Sequence, residues 1–453
     1  TFLGAGMLSD ISAQDFSLQA DTLNEARLPA QWDLQSCIDY ALEQNITIRK
    51  NRVTAESTQI DVKTAKAALF PSLSFSTSQQ VVNRPYQETS SRVSGSEIIS
   101  SNSKTSYNGN YGLNASWTIY NGSKRLKTLK QERLNNQVAE LDVATSENTI
   151  KESIAQIYIQ ILYAAESVRV NENTLQVSIA QRDRGQELLN AGSIAKSDFA
   201  QLEAQVSTDR YQLVTAQATL QDYKLQLKQL LELDGENEMN VYLPKLSDEN
   251  VLAPLPAKKD VYVSALAIRP EIEASKLNVE ASELGIDIAK SSYFPTISLS
   301  AGIGTNHTSG SDFTFGEQVK NGWNNSIGLS VSVPIFNNRQ TKSAVQKAKL
   351  QRETDMLSLL DEQKALYKTI ESLWLDANSA QQRYAAANEK LRSTQISYDL
   401  ISEQFNLGMK NTVELLTEKN NLLQAQQEQL QAKYMAILNT QLLKFYQGDK
   451  LTL

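Results

Sequence analysis

Two long stretches of the chain carry apolar side chains at every seventh residue, the spacing of helices that pack in a coiled coil. The second stretch has Ile370, Ala377, Tyr384, Leu391, Tyr398 and Phe405, with a row of small or polar residues three places behind. Residues 86–243 and 335–453 contain no proline and are rich in helix-forming residues. The pattern therefore predicts very long helices, and one from Asn337 to Asn406 would extend roughly 100 Å.

The same pattern occurs earlier in the chain at an offset of 216 residues, where Ile154, Ile161 and Leu189 take the corresponding positions. A second comparison, at an offset of 224, matches residues 41–71 with 265–295 at eight of 31 positions, and both segments end in Phe-Pro. The offset changes because the connection that follows is eight residues shorter in the second copy. The sequence therefore predicts an internal tandem duplication.

Each copy also contains runs in which apolar residues alternate with small or polar ones. The apolar positions are Tyr111, Leu113, Ala115, Trp117 and Ile119 in the first copy and Ile327, Leu329, Val331, Val333 and Ile335 in the second. Shorter alternating runs follow Pro71 and Pro295. Runs of about 10 residues with one apolar face are typical of strands that separate lipid from water. The sequence predicts one hairpin over about 72–120 and another over about 296–336.

Four strands are too few to close on themselves, and open sheet edges are not tolerated in lipid, so the chain is predicted to oligomerise. Two, three or four copies all satisfy this requirement. The alternative is a soluble β-sandwich, which is disfavoured because no further strands are predicted for these four to pack upon. Residues 83–106 and 305–325 are rich in Ser, Asn, Thr and Gly and are predicted to be exposed loops, with His307 as a solvated residue of the second.

The composition disfavours several classes of function for this chain. The net charge is −7, from 44 basic and 51 acidic residues spread along the chain, which disfavours a nucleic-acid partner. One histidine, His307, and one cysteine, Cys37, leave no ligand set for a typical metal site, and no cofactor is predicted. No nucleophile–base constellation or phosphate loop indicates an enzyme. No run approaches 18 apolar residues, so no transmembrane helix is predicted.

Several features together resemble the TolC family of outer-membrane efflux channels. They are the duplication, the two Phe-Pro junctions, the Trp32-Asp33-Leu34 start, and the helix breaks Asn190-Ala191-Gly192 and Asn406-Leu407-Gly408. The resemblance covers roughly residues 31–448. It implies an α+β membrane protein in which four strands per chain join the twelve-stranded barrel of a homotrimer, continuous with an α-helical coiled-coil barrel that crosses the periplasm. It also implies contact with outer-membrane lipid and two partners, a periplasmic adaptor protein and an inner-membrane transporter.

In that family the periplasmic end of the tunnel is closed by polar and charged residues just after the two glycine turns. The resemblance assigns this gate here to Asp198, Ser197, Glu414, Lys410, Phe405 and Thr417. Phe405 replaces a tyrosine, Lys410 an arginine, and Thr417 an acidic residue. Because phenylalanine has no hydroxyl and lysine lacks the two-pronged hydrogen bond of arginine, the closed state is predicted to be held more loosely.

The same resemblance assigns adaptor contact to the helix tips. The candidate residues are Asn190, Gly192, Ser193, Lys196, Asn406, Gly408 and Asn411. Gly192 and Gly408 are predicted to let the chain reverse with a positive φ. A plain alternative is that Asp198 and Glu414 only cap helix starts, since each lies near one. The two roles are compatible.

The predicted organisation has five parts. They are an N-terminal extended segment (1–30), which is either the end of an export signal or a mobile start, a first repeat (31–233), a linker (234–260), a second repeat (261–446) and a C-terminal tail (447–453). The predicted function is the passive exit duct of a three-part system that exports small molecules from a Gram-negative bacterium. The alternatives are a duct for secreted polypeptides and a soluble coiled-coil scaffold, the latter disfavoured by the alternating strands.

Overall fold

A computed structural model describes residues 29–86, 90–94, 97–101, 104–234, 239–244, 251–309 and 313–452. The N-terminal segment predicted over 1–30 therefore lies almost entirely outside the described residues. The chain forms two compact units. The tip unit consists of the described parts of Thr1–Ile46, Asn148–Val261 and Ile370–Leu453, and the sheet unit of those of Thr47–Glu147 and Tyr262–Thr369.

The chain forms long helices joined to short strands. The helices are α1 (Leu34–Gln44), α2 (Ile46–Ala67), α3 (Lys124–Asn190), α4 (Lys196–Leu230), α5 (Lys258–Ile268), α6 (Pro270–Ser291), α7 (Phe315–Asn321), α8 (Gln340–Asn406) and α9 (Thr412–Gln447). The strands are β1 (Ser72–Asn83), β2 (Ser90–Ser94), β3 (Glu97–Ser101), β4 (Thr105–Asn121), β5 (Thr296–Thr308) and β6 (Asn324–Ser332). Helices α3 and α8 are each 67 residues long, so the prediction of two very long helices is confirmed.

The sheet unit contains one antiparallel sheet of four strands in the order β1-β4-β5-β6. Leu113 on β4 pairs with Phe75 on β1 and with Ile303 on β5, so apolar side chains from three strands share one face. In the described part of the chain this face is largely exposed. On β6, Ile327 is 83% exposed and Leu329 65%.

Both predicted loops contain more regular structure than the composition indicated. The stretch 83–106 holds β2 and β3, which form a separate two-stranded sheet. The stretch 305–325 begins inside β5 and contains α7, whose first turn is capped by the Thr314 hydroxyl. The prediction of His307 as a solvated loop residue is therefore wrong. His307 lies in β5, where its ring stacks on that of Tyr111 at 5.8 Å between centroids and meets that of Phe315 edge-on at 5.0 Å. Short elements with many Ser and Asn residues carry little hydrophobic periodicity.

The strand-to-helix junction is built the same way in both repeats. Gly122 and Ser123 precede α3 with φ of 66° and 63°, and Asn338 and Arg339 precede α8 with φ of 52° and 66°. In the first repeat, a Cβ on Gly122 would lie 2.7 Å from the carbonyl oxygen of Ser291. The duplication thus extends to backbone conformations that most residues avoid.

The tip unit is held together by the predicted seven-residue seams. Buried members are Ile154, Ile161, Ala164, Leu175, Ile370, Ala377, Ala380 and Tyr384. Small residues let the helices approach closely, and a Cβ on Gly185 of α3 would lie only 2.3 Å from Leu202 of α4. Packing of these apolar rows, and not helix propensity alone, is what stabilises helices of this length.

The segment between the repeats lies against the long helices of the tip unit. Val241 forms a parallel bridge with Trp32, and the Tyr158 hydroxyl of α3 donates a 2.6 Å hydrogen bond to the carbonyl of Tyr242. The Gln381 amide of α8 donates to the carbonyls of Val251 and Ala253 at 2.9 and 2.8 Å. These bonds fix the described parts of the linker along both repeats.

Candidate functional site: the helix tips

Both helix tips end in the same hydrogen-bonded glycine turn. After α3, the amide of Gly192 donates to Leu189 at 2.9 Å and that of Ser193 to Leu188 at 2.8 Å. After α8, Gly408 and Met409 donate to Phe405 and Gln404, both at 2.9 Å. Gly192 and Gly408 have φ of 73° and 75°, as the sequence predicted. Each turn satisfies carbonyls that a helix end leaves unpaired.

Asp198 lies in the first turn of α4. Its carboxylate accepts a 3.4 Å hydrogen bond from the backbone amide of Ala195, which precedes the helix. The Asp198 side chain is half-buried, whereas its neighbours Lys196 and Ser197 are exposed. A carboxylate at this place is favoured by the positive end of the helix dipole. The capping role is therefore present, and the side chain remains accessible.

The start of α9 has a more complete cap. The Asn411 side chain accepts from the amide of Glu414 at 2.9 Å, and the Glu414 carboxylate accepts from the amide of Asn411 at 3.2 Å. Lys410 adds an ion pair to Glu414 at 2.5 Å. The Lys410 ammonium and the Asn411 amide hold the pKa of Glu414 below its ordinary value.

The remaining gate candidates differ in exposure. Phe405 is only 3% exposed and packs in the helix core, while Thr417 donates its hydroxyl to the carbonyl of Val413 at 2.8 Å within α9. Among the described residues of one chain, no hydrogen bond or ion pair joins the gate candidates of the first repeat to those of the second. The structure joins Lys410 to Glu414 by an ion pair, whereas the Asp198 carboxylate bonds only within its own helix start among the described residues.

A buried polar cluster near the tips was not singled out by the sequence analysis. The Lys419 ammonium of α9 contacts both the Asp209 carboxylate of α4 and the Ser178 hydroxyl of α3, and Ser178 also bonds Asp209. The three side chains, here called the buried triad, are 4%, 1% and 2% exposed. Gln205 donates to the other Asp209 oxygen at 2.8 Å.

A pattern in the sequence could have revealed two members of this triad. Asp209 follows the buried residues Leu202 and Val206 at helical spacing, and Lys419 lies between the buried Leu415 and Leu422. A charge at an apolar position of a helix indicates a buried partner, because an unpaired buried charge is strongly unfavourable. Which helix supplies that partner does not follow from periodicity.

Other polar links connect α8 to its neighbours. The Gln181 amide of α3 donates to the Tyr398 hydroxyl at 2.8 Å, and the Ser397 hydroxyl donates to Glu418 of α9 at 3.1 Å. Burial raises the pKa of Tyr398 above its ordinary value. Further up, Lys390 of α8 pairs with Glu428 of α9 at 2.7 Å, and both side chains are more than 40% exposed. The pair Lys390–Glu428 is therefore accessible to water, unlike the buried triad.

The described residues contain no group of three or more His, Cys, Asp or Glu side chains arranged to hold a metal ion. No helix in the described part of the chain is both long and apolar enough to cross a membrane.

Long paired helices that reverse at glycine turns, joined to strands with an uncovered apolar face, define the class of outer-membrane channel subunits. Two matches to the family model described as Outer membrane efflux protein cover residues 37–232 and 261–448. The chain belongs to this family, the TolC family of outer-membrane channels, which are not enzymes.

Two relatives and one solved structure illustrate the similarity. Outer membrane efflux protein BepC of Brucella suis biovar 1 is 26% identical over 294 residues, 64% of this chain and 61% of BepC. Outer membrane protein TolC of Escherichia coli K12 is 24% identical over 341 residues, 72% of this chain and 66% of TolC. The matched region thus spans under two thirds of either relative. The crystal structure of CusC superposes with a TM-score of 0.78 at 19% identity, covering 93% of each chain, which shows the fold.

Proposed function

We propose that this chain is one subunit of a homotrimeric duct in the outer membrane of a Gram-negative bacterium. The duct passively carries small molecules outward from a periplasmic adaptor protein and an inner-membrane transporter. The observation that carries the proposal is the four-stranded sheet. In the described part of the chain, β1 and β6 each pair on one side only. Strand edges in lipid have to be paired, so further copies of the chain supply the missing partners.

The two faces of the sheet support a wall between lipid and water. One face carries the exposed apolar side chains, and the other carries small polar ones such as Ser74, Asn114 and Ser300. Several of these polar residues bond across strands; for example, the Ser300 hydroxyl donates to the carbonyl of Gly328 at 3.3 Å. In the trimer the apolar face meets outer-membrane lipid and the polar face lines the duct.

We further propose that the helix tips hold the gate and the adaptor contact. Asp198 and Glu414, repeated by threefold symmetry, form acidic rings at the entrance together with Ser197, Lys410 and Thr417, while Phe405 packs behind them. Acidic rings favour cations and repel one another, so the closed state depends on contacts that offset this repulsion. The exposed turns at Gly192 and Gly408 supply the adaptor contact, with Asn190, Ser193, Lys196, Asn406 and Asn411 beside them.

The gate is tested by conductance of the reconstituted protein in planar lipid bilayers. Asp198→Asn keeps an oxygen that can accept from the Ala195 amide but removes the charge, whereas Asp198→Ala removes both. We expect both variants to raise the resting conductance severalfold, because in the proposed gate the charged Asp198 carboxylate makes the contacts between subunits that offset this repulsion and hold the closed state. The control is Asp222→Ala, an exposed position on the same helix whose carboxylate bonds only Gln226 among the described residues. Resting conductance equal to wild type in both Asp198 variants would remove this residue from the gate.

The export role is tested in cells that lack this chain. Restoring the chain is expected to lower the accumulation of a fluorescent dye that the cells otherwise retain. Crosslinking of a cysteine placed at the exposed Ser193 is expected to capture a periplasmic adaptor protein. If the cells regain secretion of a polypeptide while dye accumulation is unchanged, the duct serves polypeptide secretion and the small-molecule proposal is wrong.

A further inference from the structure

The buried triad joins three helices at a place where the helices are otherwise packed by apolar rows. Ser178 belongs to α3, Asp209 to α4 and Lys419 to α9, so the contact ties the returning helix of the second repeat to the helix pair of the first. Asp209 lies eleven residues, about three helical turns, after Asp198. The triad is therefore separate from the candidate gate residues at the tips and lies inward from them along the same helices.

The triad satisfies nearly every polar atom that it buries. Lys419 contacts one Asp209 oxygen and the Ser178 hydroxyl, and Gln205 donates to the second Asp209 oxygen at 2.8 Å. Desolvation lowers the pKa of Lys419, and the bond to Asp209 opposes that change. A buried ion pair of this kind contributes little net stability when intact, but either charge left without its partner is strongly unfavourable. The contact therefore tolerates little relative movement of α9 against α3 and α4.

The duplication shows that this contact is not a general requirement of the fold. At the offset of 216 residues, Ser178 corresponds to Thr394, Asp209 to Ala425 and Lys419 to Glu203. Ala425 is fully buried, so the equivalent place in the second repeat is filled by an apolar side chain. Thr394 is half-buried and Glu203 is exposed, so in the described chain the second repeat buries no charge at the equivalent positions, and the buried charges are specific to the place where α9 meets α3 and α4.

We propose that Ser178, Asp209 and Lys419 are positioning residues of the gate, which fasten α9 to α3 and α4 and so hold the entrance closed. The proposal rests on the gated duct proposed above. Opening separates Lys419 from Asp209 and leaves each charge among apolar side chains without its partner, which is unfavourable. The open state is therefore rare until a partner protein stabilises it. The exposed pair Lys390–Glu428, which joins α8 to α9, lacks this property because water solvates both charges when they part.

The test replaces both charges at once, since a single replacement leaves an unpaired buried charge and endangers folding. The double variant Asp209→Leu/Lys419→Met keeps the space filled with apolar atoms and removes the link. Its matched control is Glu428→Leu/Lys390→Met, the same chemical changes at the exposed pair. We expect the first double variant to assemble as a trimer with wild-type helix content and to show a severalfold higher resting conductance in planar bilayers. The control is expected to conduct like wild type.

The single variant Lys419→Met gives a second measurement. It strands the Asp209 carboxylate, so we expect a lower yield of trimer that is restored in the double variant. An assembled double variant with wild-type resting conductance would overturn the proposal. Failure of the double variant to assemble would overturn it as well, because the triad would then serve folding. If the wild-type protein forms no pore, the proposed duct is wrong. If the wild type conducts and the double variant has the same resting conductance, only the proposed role of the triad is wrong.

Discussion

At the residue scale, the chemistry of the tips differs between the repeats although their backbones agree. Glu414 has an ion pair to Lys410 and a reciprocal cap with Asn411, whereas Asp198 has one long hydrogen bond to Ala195. At the position equivalent to Lys410 the first repeat has Ile194, which carries no charge. The acidic residue of the first repeat is therefore held less firmly than that of the second.

The lowered pKa of Glu414 leads to a prediction about pH. A carboxyl whose pKa is lower in the folded state than its ordinary value of 4.5 stabilises the fold above that pH, and the contribution is lost as the pH falls through the folded pKa. Lys410→Gln removes the largest cause, so we expect the pKa of Glu414 to rise towards 4.5. A ¹³C NMR titration of the side-chain carboxyl measures this.

The control for that titration is Lys390→Gln, which removes the ion pair that lowers the pKa of Glu428. It is expected to raise the pKa of Glu428 and to leave Glu414 unchanged. An unaltered pKa of Glu414 in Lys410→Gln would mean that the amide of Asn411 alone is responsible for its lowering.

At the element scale, the strand-to-helix junctions carry strain that differs between the repeats. The first junction places Gly122 and Ser123 in the left-handed region, whereas the second places Asn338 and Arg339 there, so only the second has a side chain at both positions. A left-handed backbone conformation destabilises a residue that has a Cβ by about 1–2 kcal/mol. Replacement by glycine removes this strain, but glycine itself destabilises the fold by about 0.5–1 kcal/mol because its unfolded chain is more flexible.

Arg339→Gly is therefore expected to increase the free energy of unfolding by about 0.5–1 kcal/mol. Arg339 is exposed, so little packing is lost with its side chain. Urea-induced unfolding of the detergent-solubilised protein, followed by circular dichroism, checks the change. Gly122→Ala is the opposite control, expected to destabilise by about 2 kcal/mol because it adds both the left-handed strain and the approach to the Ser291 carbonyl. A destabilised Arg339→Gly would show that the arginine side chain has a contact that outweighs its strain.

How far the elements follow from sequence depends on their length. The long helices and the four-stranded sheet follow from periodicity, because apolar rows every seven residues and strict alternation each fit one kind of element. Helix α7 and strands β2 and β3 have seven residues or fewer, too few for a periodicity to show; α7 begins at the Thr314 cap and contacts His307 through Phe315, and β2 and β3 pair only with each other in the described sheet. Asp209 and Lys419 lie 210 positions apart in the sequence. Helix periodicity predicts that each of them is buried, but it does not predict that they contact each other.

At the scale of the whole molecule, the two faces of the sheet are suited to two different environments. Leu329 and Ser330 are adjacent on β6, both exposed in the single chain, and point to opposite faces. The proposed duct places the first against lipid and the second in water. The chain therefore offers a matched pair of positions one residue apart.

Leu329→Arg is expected to reduce the stability of the protein folded in lipid vesicles by about 2–4 kcal/mol, since it places a charge in hydrocarbon. Ser330→Arg is expected to reduce it by far less, because its side chain reaches water. Denaturant-induced unfolding from vesicles measures both. Equal losses for the two variants would contradict the assignment of the faces.

The two glycine turns carry a consequence for recognition. Their hydrogen bonds are equivalent bond for bond, and a Cβ on Gly192 or Gly408 would meet open space in the described chain. A partner that contacts only the backbone of these turns would find them interchangeable, and the proposed trimer would present it with a sixfold pattern. A partner that senses the Lys410–Glu414 pair would distinguish alternate turns and meet a threefold pattern. The stoichiometry of the bound adaptor would then report which of the two surfaces it contacts.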